Sequence, residues 1–368
     1  MLKKLKLNHL LTFAIAAIAA IMSMTIGQGW EPVVAQNQSQ TQVQKQAQKT
    51  VEAPLQTISL QNAGLQLQEV AQGVYALIAS TDFPHVSPAV AIANGGIVIG
   101  SESVLVIDSF QNSDLAELLI ATVKSLTDKP IKYVLNTHYH FDHTGGNVAF
   151  VKQNIPVIGR GVIREYIQSG KNNTNGITPP TVIVNSQTDI WLGDRQVRIE
   201  RVDGHSAGTD LVAYVPDAKV LFTGDMVFNK RIPYTGDSDI RQWQGSLYRL
   251  IATFPEAKVV PGHGDVTDVT GLQAQQAYFS WLERTALEWK AQILTKEQVL
   301  EKFAKVPDAY RDYKFKDIYP LNLESAYEQF SRSKIIPLIR EITGRRPSLT
   351  AFTQIFVNRL FQEINLPE

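Results

Sequence analysis

Three histidines and an aspartate fall within six residues, at His138, His140, Asp142 and His143, in the stretch NTHYHFDHTGGN over 136–147. The whole chain has only seven histidines. Neutral imidazole and carboxylate both present lone pairs to a divalent cation such as zinc, without help from a thiolate. On an extended segment residues 138 and 140 point the same way, so two imidazoles can grip one ion. Asp142 and His143 come after the chain turns and can serve a second ion close to the first. Gly145 and Gly146 lack Cβ atoms, which lets backbone approach a crowded site.

The competing account is a solvated loop that happens to be rich in histidine. It loses ground when the rest of the chain is read, because three more loops supply matching groups. VDGHSAGTD carries His205, VLFTGDMVF carries Asp225 and VVPGHGDV carries His263. Each follows an apolar run and sits in a glycine-containing turn. Five of the seven histidines lie in these loops, leaving only His9 and His85 elsewhere. A mononuclear catalytic zinc needs about three protein ligands plus water, so five histidines and two aspartates suit two ions. His138, His140 and His205 are assigned to the first metal; Asp142, His143 and His263 go to the second; Asp225 bridges them.

The elements that must hold these loops are legible as alternation. GVYALIAS and PAVAIANGGIVIGSESVLVIDS read as strands, with hairpin turns expected at Gly95-Gly96 and over 100–103. Leu115, Leu118, Leu119, Val123 and Leu126 fall on one face of a helix predicted over 112–126. IKYVLNT is a strand that runs straight into the histidine cluster. The cluster therefore occupies a loop at the C-terminal end of a strand, where α/β proteins place their chemistry. Helices are predicted at 145–152, 160–169 and 241–253, and strands near 156–159, 181–184, 188–192, 195–202, 210–215, 219–223 and in KVVPGHG. This mixture argues for mixed sheets covered by helices. From 271 onward the pattern is helical, at 272–293, 295–304, 322–341 and 348–363. Trp281, Leu282, Leu287 and Trp289 are expected to dock the first of these helices on the domain.

Composition limits the remaining possibilities. Lys+Arg and Asp+Glu both number 35 in 368 residues, so no global basic field for nucleic acid exists. There is no cysteine, hence no disulfide and no thiolate ligand. Lys3, Lys4 and Lys6 precede an uncharged run over 10–26, and VVA at 33–35 offers small residues at a cleavage point. Residues 1–35 thus read as a signal peptide, which implies a periplasmic or extracellular protein with no stable membrane span. An uncleaved anchor is the competing reading. Residues 36–65 form a Gln-rich linker too poor in apolar residues to fold alone. The domain is placed at 66–270 and a helical extension at 271–368.

HYHFDH at 138–143, followed by His205, Asp225 and His263, resembles the metallo-β-lactamase-fold hydrolases over roughly residues 67–265. The resemblance implies an α+β fold, a four-layer αβ/βα sandwich of two mixed β-sheets flanked by helices, with metals in a shallow groove along one edge. It also implies that Asp108 hydrogen-bonds the 138–143 loop. FTGDMVFNKRIPY and DSDIRQWQGSLYRL look most like exported, quinoprotein-relay-type members. Two Zn²⁺ ions would acidify a water for attack on a small-molecule carbonyl, with Asp142 orienting that water and moving its proton. The expected activity is hydrolysis of a β-lactam-like, lactone or ester substrate. A thioesterase and an iron-dependent redox enzyme on the same scaffold are the alternatives. Lys230, Arg231 and Tyr234 are candidates to meet a substrate carboxylate. Phe83 and His85 are candidates for a substrate-facing hairpin, with Phe110 on a loop near the same edge. Ser206 and Thr209 are read as turn hydroxyls.

Overall fold

In the computed structural model, residues 59–82 and 87–331 are described. The predicted signal segment, most of the Gln-rich linker, Phe83, His85 and the helix expected over 348–363 lie outside the described residues. Strands β1 (Leu65–Ala71), β2 (Val74–Ala79), β3 (Gly95–Ile99), β4 (Val104–Ile107), β5 (Ile131–Leu135), β6 (Val157–Arg160) and β7 (Val182–Val184) form one sheet in chain order. Pairing is antiparallel from β1 to β4 and parallel from β4 to β7. The second sheet runs β12-β11-β10-β9-β8. It comprises β8 (Thr188–Trp191), β9 (Gln196–Arg201), β10 (Leu211–Val215), β11 (Val220–Phe228) and β12 (Lys258–His263). Only its β11–β12 pair is parallel.

Apolar residues facing inward from both sheets join them, including Ile78, Val98 and Leu105 on one side and Val197, Ile199 and Phe222 on the other. Both strands at the centre of this contact, β4 and β11, are buried along their whole length. That is why β4 reads as a continuous apolar run, and why the polar Thr223 and Asp225 of β11 are buried as well.

Helices cover the outer faces. Helix α1 (Ser113–Leu126) begins at Asn112, whose side chain accepts from the Leu115 amide at 3.0 Å. It lays Leu115, Leu119 and Val123 against Val106 and Val134 of the first sheet. The short helices α2 (Phe141–Thr144), α3 (Asn147–Val151) and α4 (Ile163–Gln168) follow. On the second sheet α5 (Ile240–Thr253) is capped by Asp239 and α6 (Val269–Ala291) by Asp268. Trp243 and Leu247 of α5 share a core with Phe279, Leu282 and Trp289 of α6. Then come α7 (Lys296–Lys302), started by a Thr295–Gln298 capping box, and α8, described over Tyr319–Ser331. The result is the four-layer αβ/βα sandwich with added C-terminal helices. Among the described residues no helix is long and apolar enough to cross a membrane.

One expectation fails on local packing. Gly95 and Gly96 do not make a turn: they lie inside β3, paired with Leu77 and Ala76 of β2. A Cβ on Gly96 would stand 2.4 Å from Phe222 of the opposite sheet, and one on Gly95 would stand 2.8 Å from the Phe110 ring. These glycines admit two aromatic rings to a strand interior. Phe110, on the loop after β4, is accordingly fully buried.

Candidate metal centre

The histidine cluster begins where β5 ends. Asn136 and Asn147 exchange side-chain hydrogen bonds of 2.8 and 3.0 Å, and Asn136 also donates to the His143 carbonyl. The backbone N–H of Thr137 donates to Asp108 Oδ1 at 2.8 Å. Asp108 follows β4 in the left-handed region, at φ 58°, with its carboxylate on this loop. The chain then makes the single turn of α2, which carries Asp142 and His143. Gly145 and Gly146 follow it tightly against another loop, where added Cβ atoms would stand 2.1 Å from the Gln111 carbonyl and 2.0 Å from that of Ser109.

Three strand-end segments and β11, which carries Asp225 in its interior rather than in the expected loop, bring the seven candidate ligands together. None of the seven side chains' residues is more than 8% exposed. His138, His140, His205 and Asp225 present ligand atoms within 4.8 Å of one another, and so do Asp142, His143 and His263. Asp225 faces both groups. Its Oδ1 is 3.1 Å from Nε2 of His143 and of His263, while its Oδ2 is 3.3 Å from Nε2 of His263 and 3.6 Å from Nε2 of His138 and of His205. Asp142 Oδ2 lies 3.6 and 3.5 Å from the same two nitrogens of His143 and His263.

The opposite ring nitrogens are engaged elsewhere. Nδ1 of His143 meets Asp108 at 2.8 Å, Nδ1 of His205 meets Asp210 at 3.2 Å, and Nδ1 of His263 donates to the Ile92 carbonyl at 3.1 Å. Nδ1 of His138 lies 3.1 Å from the Thr137 hydroxyl. Fixing one nitrogen of an imidazole selects the other as the lone-pair donor. Nε2 of His138, His140, His143 and His205 and Oδ1 of Asp225 are buried and have no hydrogen-bond partner. Buried polar atoms without partners are costly. A convergent set of nitrogen and oxygen donors of this kind fits one or two borderline cations such as zinc.

Electrostatics of the metal-free site follow from the same packing. Burial pushes His143 down, but Asp225, Asp108 and Asp142 outweigh it and hold the imidazole well above its ordinary value. Burial pushes Asp225 up, and His263, His143 and His138 outweigh it, keeping the carboxylate well below the usual range. Burial and the neighbouring His143 keep His138 well below its ordinary value, against the pull of Asp225. Burial raises Asp108, with His143 opposing.

Two carboxylates at this site were not assigned from sequence. Asp210 holds His205 and also accepts from the Ser206 amide and hydroxyl, at 2.8 and 2.7 Å. It stands at the end of the quoted segment VDGHSAGTD, and the signal was an acid five residues beyond a ligand. Asp237 places Oδ1 3.3 Å from His140 Nε2, and its Oδ2 accepts from the Tyr139 hydroxyl and lies 3.5 Å from Lys171 Nζ. Burial would raise Asp237, yet His140 and His205 hold it below the carboxylate range. Nothing in the local sequence marks Asp237, because a fold-back of the chain after β11 delivers it.

The cleft above the ligands measures about 200 Å³. Tyr234 lines it, while Lys230 and Arg231 line a separate, smaller depression beside Gln275 and Tyr278. Arg231 is 5% exposed and donates to the carbonyls of Asn229 and Ala79. Burial lowers its pKa. Ser206 and Thr209 bond each other at 2.6 Å, as turn hydroxyls do.

A family model described as the metallo-beta-lactamase superfamily matches residues 90–263. The acyl-coenzyme A thioesterase MBLAC2 of Homo sapiens is 30% identical over 207 residues, which is 46% of this chain and 72% of that protein. A hydroxyacylglutathione hydrolase of Pelagibacter ubique is 32% identical over 145 residues, 38% of this chain and 56% of that protein. A metallo-beta-lactamase type 2 of Bacillus cereus is 23% identical over 227 residues, 61% of this chain and 85% of that protein. Among solved structures, a metallo-beta-lactamase from Pontibacter korlensis matches with a TM-score of 0.51 and 26% identity, covering 59% of this chain and 99% of that one.

Proposed function

Because this chain belongs to the metallo-beta-lactamase superfamily, we propose that it is an exported dizinc hydrolase that activates water against a substrate carbonyl. The observation that carries the reading is Asp225, whose carboxylate lies between the two groups of imidazoles and is within 3.6 Å of Nε2 of His138, His143, His205 and His263. His138, His140 and His205 would hold one ion, and Asp142, His143 and His263 the other, with Asp225 between them. Bound zinc would supply Lewis acidity and a water acidic enough to react near neutral pH.

The chain's own residues do the rest. Asp108 and Asp210 orient the imidazoles of His143 and His205 so that Nε2 points inward. Asp142 reaches the floor of the cleft and is the group we assign to orienting water and moving its proton. Phe141, Phe228 and Tyr234 exclude bulk water around that floor. No side-chain nucleophile is required. Export rests on residues 1–35.

The test is metal analysis joined to turnover. Purified protein should contain two zinc ions per chain. A chelator should abolish hydrolysis across a panel of an aryl ester, a γ-lactone, a thioester and a chromogenic cephalosporin. His140→Ala and Asp142→Ala should each lose metal or nearly all turnover while keeping the parent's circular dichroism. Parent-level turnover in both variants would sink the assignment, and iron in place of zinc would redirect it toward redox chemistry.

A further inference from the structure

The family match ends at residue 263, but the cleft does not. Its roof comes from the C-terminal extension. Phe315 and Ile318 line it together with Ile92, Phe141, Phe228 and Tyr234. The Phe315 ring stands edge-on to the imidazole of His263, with centroids 5.1 Å apart, and lies 6.5 Å from the ring of Phe228.

The segment that presents Phe315 is held from several sides. Lys314 pairs with Arg231 in an isolated parallel bridge, and its carbonyl accepts from the Ile232 amide at 2.9 Å. Lys314 Nζ donates to the Ser80 carbonyl at 2.6 Å, and the Phe315 amide donates to Asp82 Oδ1 at 2.6 Å. Phe315 itself sits at φ 62°, in the left-handed region that a bulky side chain rarely adopts. Such conformations persist only where the surroundings enforce them, and they cluster at ligand clamps.

Charge narrows what the cleft accepts. None of its lining residues among those described is lysine or arginine. Arg231 lies beneath the roof, 5.7 Å from the Phe315 ring centroid, with its guanidinium committed to carbonyls. Lys171 near the rim is paired with Asp237 and lies over the Tyr166 ring at 3.8 Å. A substrate group that reaches past the metal ligands would therefore meet asparagine amides and aromatic or aliphatic faces, with no cationic side chain in the described lining.

We propose that residues 314–318 roof the substrate cleft and select an ester or lactone with a long apolar acyl chain over one with a short chain. The inference rests on the hydrolase reading for its reaction. There, water adds to the acyl carbon, the acyl C–O bond breaks, and the released oxygen takes a proton to leave as an alcohol. The choice of an apolar chain rests on the roof alone.

Two measurements separate these parts. The first is the ratio of kcat/KM for p-nitrophenyl octanoate to that for p-nitrophenyl acetate in zinc-loaded protein. Phe315→Gly removes the ring at a backbone position that glycine favours, and Ile318→Asn alters a half-buried position. Each variant should lower the ratio by about tenfold or more, since a few methylenes of lost contact suffice for that. An unchanged ratio in both variants, with parent-like thermal melting, overturns the proposal. The second is fluorescence titration with N-phenyl-1-naphthylamine, an uncharged apolar probe, displaced by octanamide. Roof-dependent binding without hydrolysis of any substrate in the panel above would uphold the roof and overturn the hydrolase reading. Probe binding equal in parent and variants would overturn the roof.

Discussion

Asp225 must answer to two groups of imidazoles at once, and only a carboxylate has two equivalent oxygens for that task. Asp225→Asn keeps one acceptor and turns an amide donor toward the other pair. We expect the variant to bind at most one zinc per chain by elemental analysis. Asp210→Asn should preserve the fold but weaken zinc affinity by about 10- to 100-fold, the range for losing a group that orients a ligand. Competition with a chromophoric chelator would measure it. The elevated pKa of His143 predicts a proton effect with a definite sign. Asp225, Asp108 and Asp142 favour the protonated form of His143 against its burial, and a metal must displace that proton. Zinc uptake at pH 7 should therefore release protons, seen as a buffer-dependent heat in calorimetry, and apparent affinity should rise as pH increases. The ligands were legible in the sequence because histidine is scarce in it and five of the seven fall in strand-end loops. Asp237 and Phe315 were not, because each reaches the site through tertiary return of a distant segment.

At the level of elements, most strands and helices follow from apolar periodicity, and their limits are set by caps that can be named. Asn112, Asp239, Asp268 and Thr295 each begin a helix with a side-chain acceptor. The Gly95-Gly96 pair shows where a local reading stops working. A glycine pair signals a turn when only its neighbours in sequence are considered, but here it answers to Phe110 and Phe222, which are remote along the chain. Gly96→Ala should therefore behave as overpacking between sheets, destabilising the protein by about 1–3 kcal/mol. A thermal melt unchanged from the parent would show that the Phe222 ring yields without strain.

Across the described residues, the helices after residue 268 are part of the core. Helix α6 crosses the boundary expected at residue 270, and its Phe279 packs on Trp243 with centroids 4.6 Å apart. Phe279→Ala should cost about 3–5 kcal/mol, as large-to-small changes in a buried core do. Chemical denaturation would measure that loss, and zinc stoichiometry should stay at the parent value in the folded fraction. Sequence periodicity gave the helices their place and apolar faces. It could not show that the loop before α8 closes over the ligands, because Phe315 looks like any other aromatic residue until the chain has folded.

The tie from Lys314 to Ser80 and Arg231 has an evolutionary consequence. The groups that would break bonds and the segment that would choose which molecules are admitted occupy separate stretches of the gene. Mutations in the second can accumulate, be tested and be discarded while the first stays intact. A library randomised only over 316–318, which are exposed or half-buried, should therefore yield mostly metal-loaded proteins with altered preferences, a favourable starting point for drift toward new substrates.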